Sequence, residues 1–156
     1  MIEGFLEAWR TNNRINLYLI EQISRDGLKC SLSTHGGRDV ALQFAHMHNV
    51  RVWQMEQRAK DLAKGMTKFE SKVSPSKAAL TRALKASGKM IEIFLTDLIE
   101  GKTKRRGFKK GIPTVLAYFV AHESHHRGNI VLTLKQCGEA VASPVRDSMW
   151  GDWGKA

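Results

Sequence analysis

Histidine is the side chain best placed to ligate a metal or move a proton near neutral pH, and in this chain it is clustered. Three of the six histidines fall in the run AHESHHRGN as His122, His125 and His126; His46 and His48 lie in FAHMHNV, and His35 stands apart. His122 and His126 are four residues apart, so on a helix of about 3.6 residues per turn they share a face and can aim imidazole nitrogens at one ion. Val115, Phe119 and Ile130 fall near that face, which turns both histidines toward a core, while His125 is displaced around the helix. A third ligand must come from another segment. His46 shares a helical face with Leu42, Val50 and Trp53; His48 lies about 200° away on an ideal helix, near Phe44, Val52 and Met55. His46 is the better candidate, but both sides of that segment are apolar, so periodicity puts it only mildly ahead of His48. The competing reading of every one of these histidines is an ordinary hydrogen-bonded side chain.

A site of this kind needs facing helices, and the chain supplies the periodicity for four. The first spans about residues 2–24, with Phe5, Leu6, Trp9, Ile15, Leu19 and Ile20 among its apolar positions, and Gly27 closes it. A Ser- and Gly-containing loop ending THGGRD follows, and Asp39 is placed to cap a second helix running to Lys64. Ser74 as cap and Pro75 at the first helical position open a third helix that reaches Glu100. A fourth starts near Pro113 and runs to Gly138, a C-terminal glycine signal, after which EAVASPVRDSMWGDWGKA reads as a tail. No segment alternates with the period of a strand. The expected fold is all-α, a four-helix bundle forming one domain over residues 1–156.

Composition sets the surroundings of such a site. With 42% hydrophobic and 26% charged residues the chain is ordinary for a globular domain, and no run approaches the roughly 20 apolar residues of a membrane span. Glu3 and Glu7 stand where a secretion signal would be basic, so a cytoplasmic location and no membrane partner are expected. Cys30 and Cys137 show no paired spacing and read as reduced bystanders. Much of the net charge of +10 sits in GKTKRRGFKKG, as Lys102, Lys104, Arg105, Arg106, Lys109 and Lys110. That loop, 102–110, reads as a solvated connector; without interleaved aromatics a nucleic-acid partner is not expected.

HESHHRGNI followed by LTLKQCG resembles the fourth-helix signature of the DinB-like family, in which two histidines four apart precede Arg-Gly-Gln. GGRDVALQFAHMHNVRVW is similar to the same family's second-helix motif, and SMWGDWG to its aromatic ending. The resemblance implies metal ligands at His46, His122 and His126, and so decides against His48. It implies a bundle with an up-down-down-up course and long crossovers. Asn129 stands where the family has Gln, which puts that side chain's hydrogen bonds in question. Gly128 is expected to permit close helix approach and Arg127 to pair ions structurally, with Glu123 and His125 as candidates to support the ligands.

For function the resemblance implies a metal-dependent protein. Some relatives transfer low-molecular-weight thiols to electrophiles, others isomerise, and the expectation here is a thiol transferase using a divalent ion, Zn or Ni. Three neutral imidazoles leave such an ion an open position, as in catalytic rather than structural sites. The alternatives are a metal-dependent hydrolase using a metal-bound water, and a basic non-catalytic binding module. A small-molecule thiol and an electrophile are the expected partners, with a homodimer as the default assembly.

Overall fold

The computed structural model describes residues 2–32, 35–102 and 104–154. Ser33 and Thr34 of the expected Ser/Gly loop, Thr103 of the basic loop and Lys155 and Ala156 of the tail lie outside the described residues, as does Met1. The helices are α1 (Ile2–Gln22), α2 (Val40–Arg58), α3 (Lys60–Ala63), α4 (Lys77–Ile99), α5 (Ile112–Gln136) and α6 (Ser143–Gly151). No strand occurs among the described residues, so the all-α expectation holds.

The helix ends follow from local chemistry, in places differently from the sequence reading. Asp39 starts α2 as expected, its Oδ1 accepting from the Leu42 N–H at 2.7 Å. The cap of α4 is Ser76, whose Oγ accepts from the Ala79 N–H at 3.3 Å, and not Ser74. Ser74 is drawn away because its hydroxyl donates to the carboxylate of Asp39, so Pro75 precedes the cap instead of opening the helix. Gly138 behaves as expected: at φ +78° it donates to the Lys135 carbonyl at 3.3 Å while Glu139 donates to Leu134 at 2.9 Å, the paired bonds of a Schellman ending.

Two departures are larger. The second helix stops at Arg58 instead of Lys64, because the Arg58 carbonyl accepts from the Arg106 N–H at 3.2 Å, and Arg58 Nη1 donates to the Arg106 and Gly107 carbonyls at 3.3 and 3.2 Å. A distant loop has taken the acceptor that a continuing helix would use. The tail, in turn, forms α6, with Pro144 in its first turn; Arg14 anchors the turn after it by donating to Asp152 at 3.2 Å.

The four long helices pack around two apolar clusters. One joins Leu19 and Ile20 of α1, Phe44 and Met47 of α2, Leu80 and Leu84 of α4, and Ile130 and Leu134 of α5. The other joins Leu6 and Trp9, Val52 and Met55, Phe94 and Leu95, and Val115 and Phe119 of the same helices. Along each helix a buried polar stretch intervenes: Asn12 and Asn16, His48 and Arg51, Ser87, and Glu123 and His126. The glycine that lets helices approach is Gly88, where an added Cβ would lie 2.3 Å from Asn13 Nδ2, and Trp9 Nε1 donates to its carbonyl at 2.9 Å. Gly128 does not have that role, since nothing lies within 4 Å of a Cβ there. No helix among the described residues is long and apolar enough to cross a membrane.

Candidate metal centre

His46 comes from α2, and His122 and His126 from α5, two helices that pack on one another. The spacing of four residues sets the α5 pair edge to face with ring centroids 4.7 Å apart, and the His46 ring lies 5.4 and 4.8 Å from them. One ligand atom from each of the three lies within 4.8 Å of the others, a grouping able to hold one metal ion. His126 is buried and the other two are half-buried, so the cluster opens on one side.

The cluster fits a cation on two grounds internal to the protein. Nδ1 of His122 and Nδ1 of His126 are buried and have no hydrogen-bond partner among the described residues. A buried imidazole nitrogen left unpaired costs free energy on the order of 1–3 kcal/mol, unless something else coordinates it. The rings are also held neutral, as ligands must be. Burial, then the charge of Arg38, lowers His46 to about 4. Burial, then His122 and His46, lowers His126 to about 4. Burial likewise lowers His122, against an upward pull from Glu123.

The remaining histidines are elsewhere. His48 is more buried than His46, yet its ring nitrogens lie 3.1 Å from the Ala83 carbonyl and 3.0 Å from the Thr67 carbonyl, and its edge meets Phe69. It fastens the segment after α3 to the bundle. His125 is exposed, its Nε2 at 3.1 Å from Asn129 Nδ2, which answers where the Asn129 side chain finds a partner. His35 is exposed in the loop before α2.

Glu123 does not touch the histidines by hydrogen bond. Both its oxygens accept from Arg51, at 2.6 and 2.9 Å, and Oε2 also accepts from Asn12 and Asn16 at 2.6 Å each. Burial would raise its pKa, but Arg51 and these amides outweigh that and hold it below 4.5. Arg127 was expected to pair ions; it donates instead to the Oδ1 atoms of Asn12 and Asn16, at 2.8 and 2.7 Å, so its link to Glu123 runs through neutral amides. The sequence reading missed Arg51, Asn12 and Asn16. The four-residue spacing of the asparagines on an otherwise apolar face was the available signal.

Tyr118 was also missed. One turn before His122, it stacks on that ring at 11° with centroids 6.0 Å apart, and it meets Phe108 edge-on at 5.5 Å. This series brings the basic loop to the side of the cluster. Within the loop Lys102 and Arg105 are bound by Asp97 at 2.6 and 2.7 Å, whereas Lys104, Lys109 and Lys110 are exposed. The two cysteines are brought together by the fold: burial first, then the adjoining Cys137 thiol, pushes Cys30 up to about 11.

What fold and cluster define together is a class, an all-helical protein whose one group of potential metal ligands among the described residues is three imidazoles on facing helices. The chain belongs to the DinB family, whose model matches residues 1–150. No curated protein and no solved structure matches it.

Proposed function

We propose that His46, His122 and His126 hold one divalent metal ion, Zn or Ni, and that the protein is a transferase activating a low-molecular-weight thiol for attack on an electrophile. The observation that carries the metal assignment is the pair of unpartnered buried Nδ1 atoms inside a three-histidine cluster. Bound there, the ion would supply an open position and a charge that favours thiolate over thiol at neutral pH. The up-down-down-up course belongs to the same reading. It is supported by the meeting of the C-terminal halves of α1 and α5 with the N-terminal halves of α2 and α4 in one apolar cluster.

The chain's own groups favour a nucleophile from outside. Cys30 is held as a thiol, and Cys137 lies beside it rather than beside the histidines. Glu123, the carboxylate next in sequence to His122, is fully buried and accepts four hydrogen bonds from Arg51, Asn12 and Asn16, so it is not placed to take a proton from water. A hydrolase would need such a base; a thiol, with its lower pKa, needs less help. Tyr118 walls the cluster by stacking on His122, and the exposed lysines of the loop beyond Phe108 would draw in a thiol that carries carboxylates.

The test is an assay of metal-loaded protein and its His122→Ala variant with a panel of thiols and a chromogenic aryl chloride. Rates above background only for the metal-loaded wild type are expected. Equal rates for both proteins, with ester hydrolysis confined to the loaded wild type, would replace the transferase by a hydrolase.

A further inference from the structure

Across α5 from the histidines a cavity of about 420 Å³ opens, within the roughly 300–1,000 Å³ typical of small-molecule sites. Its α5 wall, Val120, Ser124, Arg127, Gly128 and Val131, lies on the far side of the helix from His122 and His126 at about 100° per residue. Ile15 of α1 and Arg146, Met149, Trp150 and Trp153 complete it. The cavity exists because α6 and the turn after it pack on α1 and stand away from α5. Ile15 is a core residue, and Val131 and Met149 pack against the core, but α6 buries no residue, and Trp150 and Trp153, 77% and 40% exposed, are not needed to close it.

Gly128 marks the cavity as more than a gap. Glycine weakens a helix interior, and it is usually explained by a neighbour that needs the room. Here nothing lies within 4 Å of a Cβ at Gly128, so the space it vacates belongs to the cavity.

The charges around it are unbalanced. Two arginines line the cavity and no acidic residue does. Arg127 donates to Asn12, Asn16 and Ser124, all neutral, and the nearby carboxylate of Glu123 is claimed by Arg51. Arg146 donates to Ser143 Oγ at 2.7 Å and has no acidic partner among the described residues. A guanidinium fork takes a carboxylate in two parallel hydrogen bonds, and indole faces take a flat apolar body.

We infer that this cavity binds a small aromatic carboxylate, its anion between Arg127 and Arg146 and its ring against Trp150, Trp153 and the floor at Gly128. The site is separate from the histidine cluster and does not depend on a metal.

The experiment is a nuclear magnetic resonance titration of the full isotope-labelled chain with 2-naphthoate, 2-naphthamide and acetate. Expected are saturable shifts of the Trp150 and Trp153 indole N–H signals with 2-naphthoate, and affinity about tenfold weaker for the amide, which lacks the charge-assisted bonds. Arg146→Gln should weaken naphthoate binding by about the same factor. Gly128→Leu should abolish binding while circular dichroism shows a helical fold. Equal affinity for acid and amide, acetate binding as tightly as naphthoate, absence of saturable indole shifts, or unchanged binding to Gly128→Leu would each overturn the proposal. So would light scattering that finds the wild type dimeric and Gly128→Leu monomeric, which would make the cavity wall an interface between two copies.

Discussion

Glu123 and Arg51 form an ion pair whose two side chains are both fully buried, and Asn12 and Asn16 also donate to the carboxylate. Removing one charge leaves the other desolvated and unmatched, which typically costs about 3–5 kcal/mol. Glu123→Gln should therefore lower the unfolding free energy measured by denaturant titration by that order. Arg14→Ala, which loses solvent-accessible pairs with Glu7 and Asp152 and a hydrogen bond to Thr11, should cost only about 1 kcal/mol. The histidines separate by partner and not by burial. His46→Ala, His122→Ala and His126→Ala should each strip most of the metal measured by elemental analysis, whereas His125→Ala and His48→Ala should retain it. His48→Ala should instead lose stability, because the buried ring that lies between the Ala83 and Thr67 carbonyls, and donates its N–H there, is removed. Stoichiometric metal in the His46→Ala protein would remove that residue from the site.

The helices are positioned as much by contacts between elements as by their own caps. Two glycines inside helices make opposite predictions. Gly88 sits where α1 crosses α4, and a methyl group there collides with Asn13, which also accepts from Arg51 Nη1 at 2.9 Å. Gly88→Ala should destabilise by about 1–3 kcal/mol despite the better helix propensity of alanine. Gly128→Ala meets nothing and should stabilise by about 0.5–1 kcal/mol. Thermal melts of the two variants should move in opposite directions. At the end of α2, the loop around Arg106 competes for the Arg58 carbonyl, so the helix break is a tertiary contact written into the backbone.

For the molecule as a whole, the two apolar clusters are built from all four long helices, and the histidine cluster lies outside both. Chelation should thus leave the helical circular dichroism intact and lower only the melting temperature, since a ligand that binds the folded form alone stabilises by mass action. Complete loss of the helical signal would make the ion structural. Asp97 ties the basic loop to α4. Burial would raise its carboxyl, but hydrogen bonds from Lys102 and Arg105 outweigh this and hold it below 3.8. A depressed carboxylate contributes stability that is present above its unfolded value and lost as pH falls through the folded one. Asp97→Asn should accordingly be less stable than the wild type at pH 7, and the difference in melting temperature should shrink below about pH 3.8. A difference that stays constant down to acid pH would show that the charge of Asp97 contributes nothing.

The all-helical class, the four long helices and the His122–His126 pair were legible in the sequence because they depend on local periodicity, which neighbours in the chain determine. Gly138 and Asp39 were legible for the same reason: a cap bonds to backbone within a turn of itself. The choice between His46 and His48 was not, since both lie on apolar sides of one helix, and residue resemblance rather than spacing decided for His46. Only the packing of α2 on α5 brings His46 against the other two rings and leaves His48 to the carbonyls of Ala83 and Thr67. The same holds for the Ser74 hydroxyl captured by Asp39, the early end of α2, the meeting of Cys30 with Cys137, and the exchange of roles between Gly88 and Gly128. Each turns on the presence or absence of a partner dozens of residues away, and no local pattern encodes which distant group will arrive.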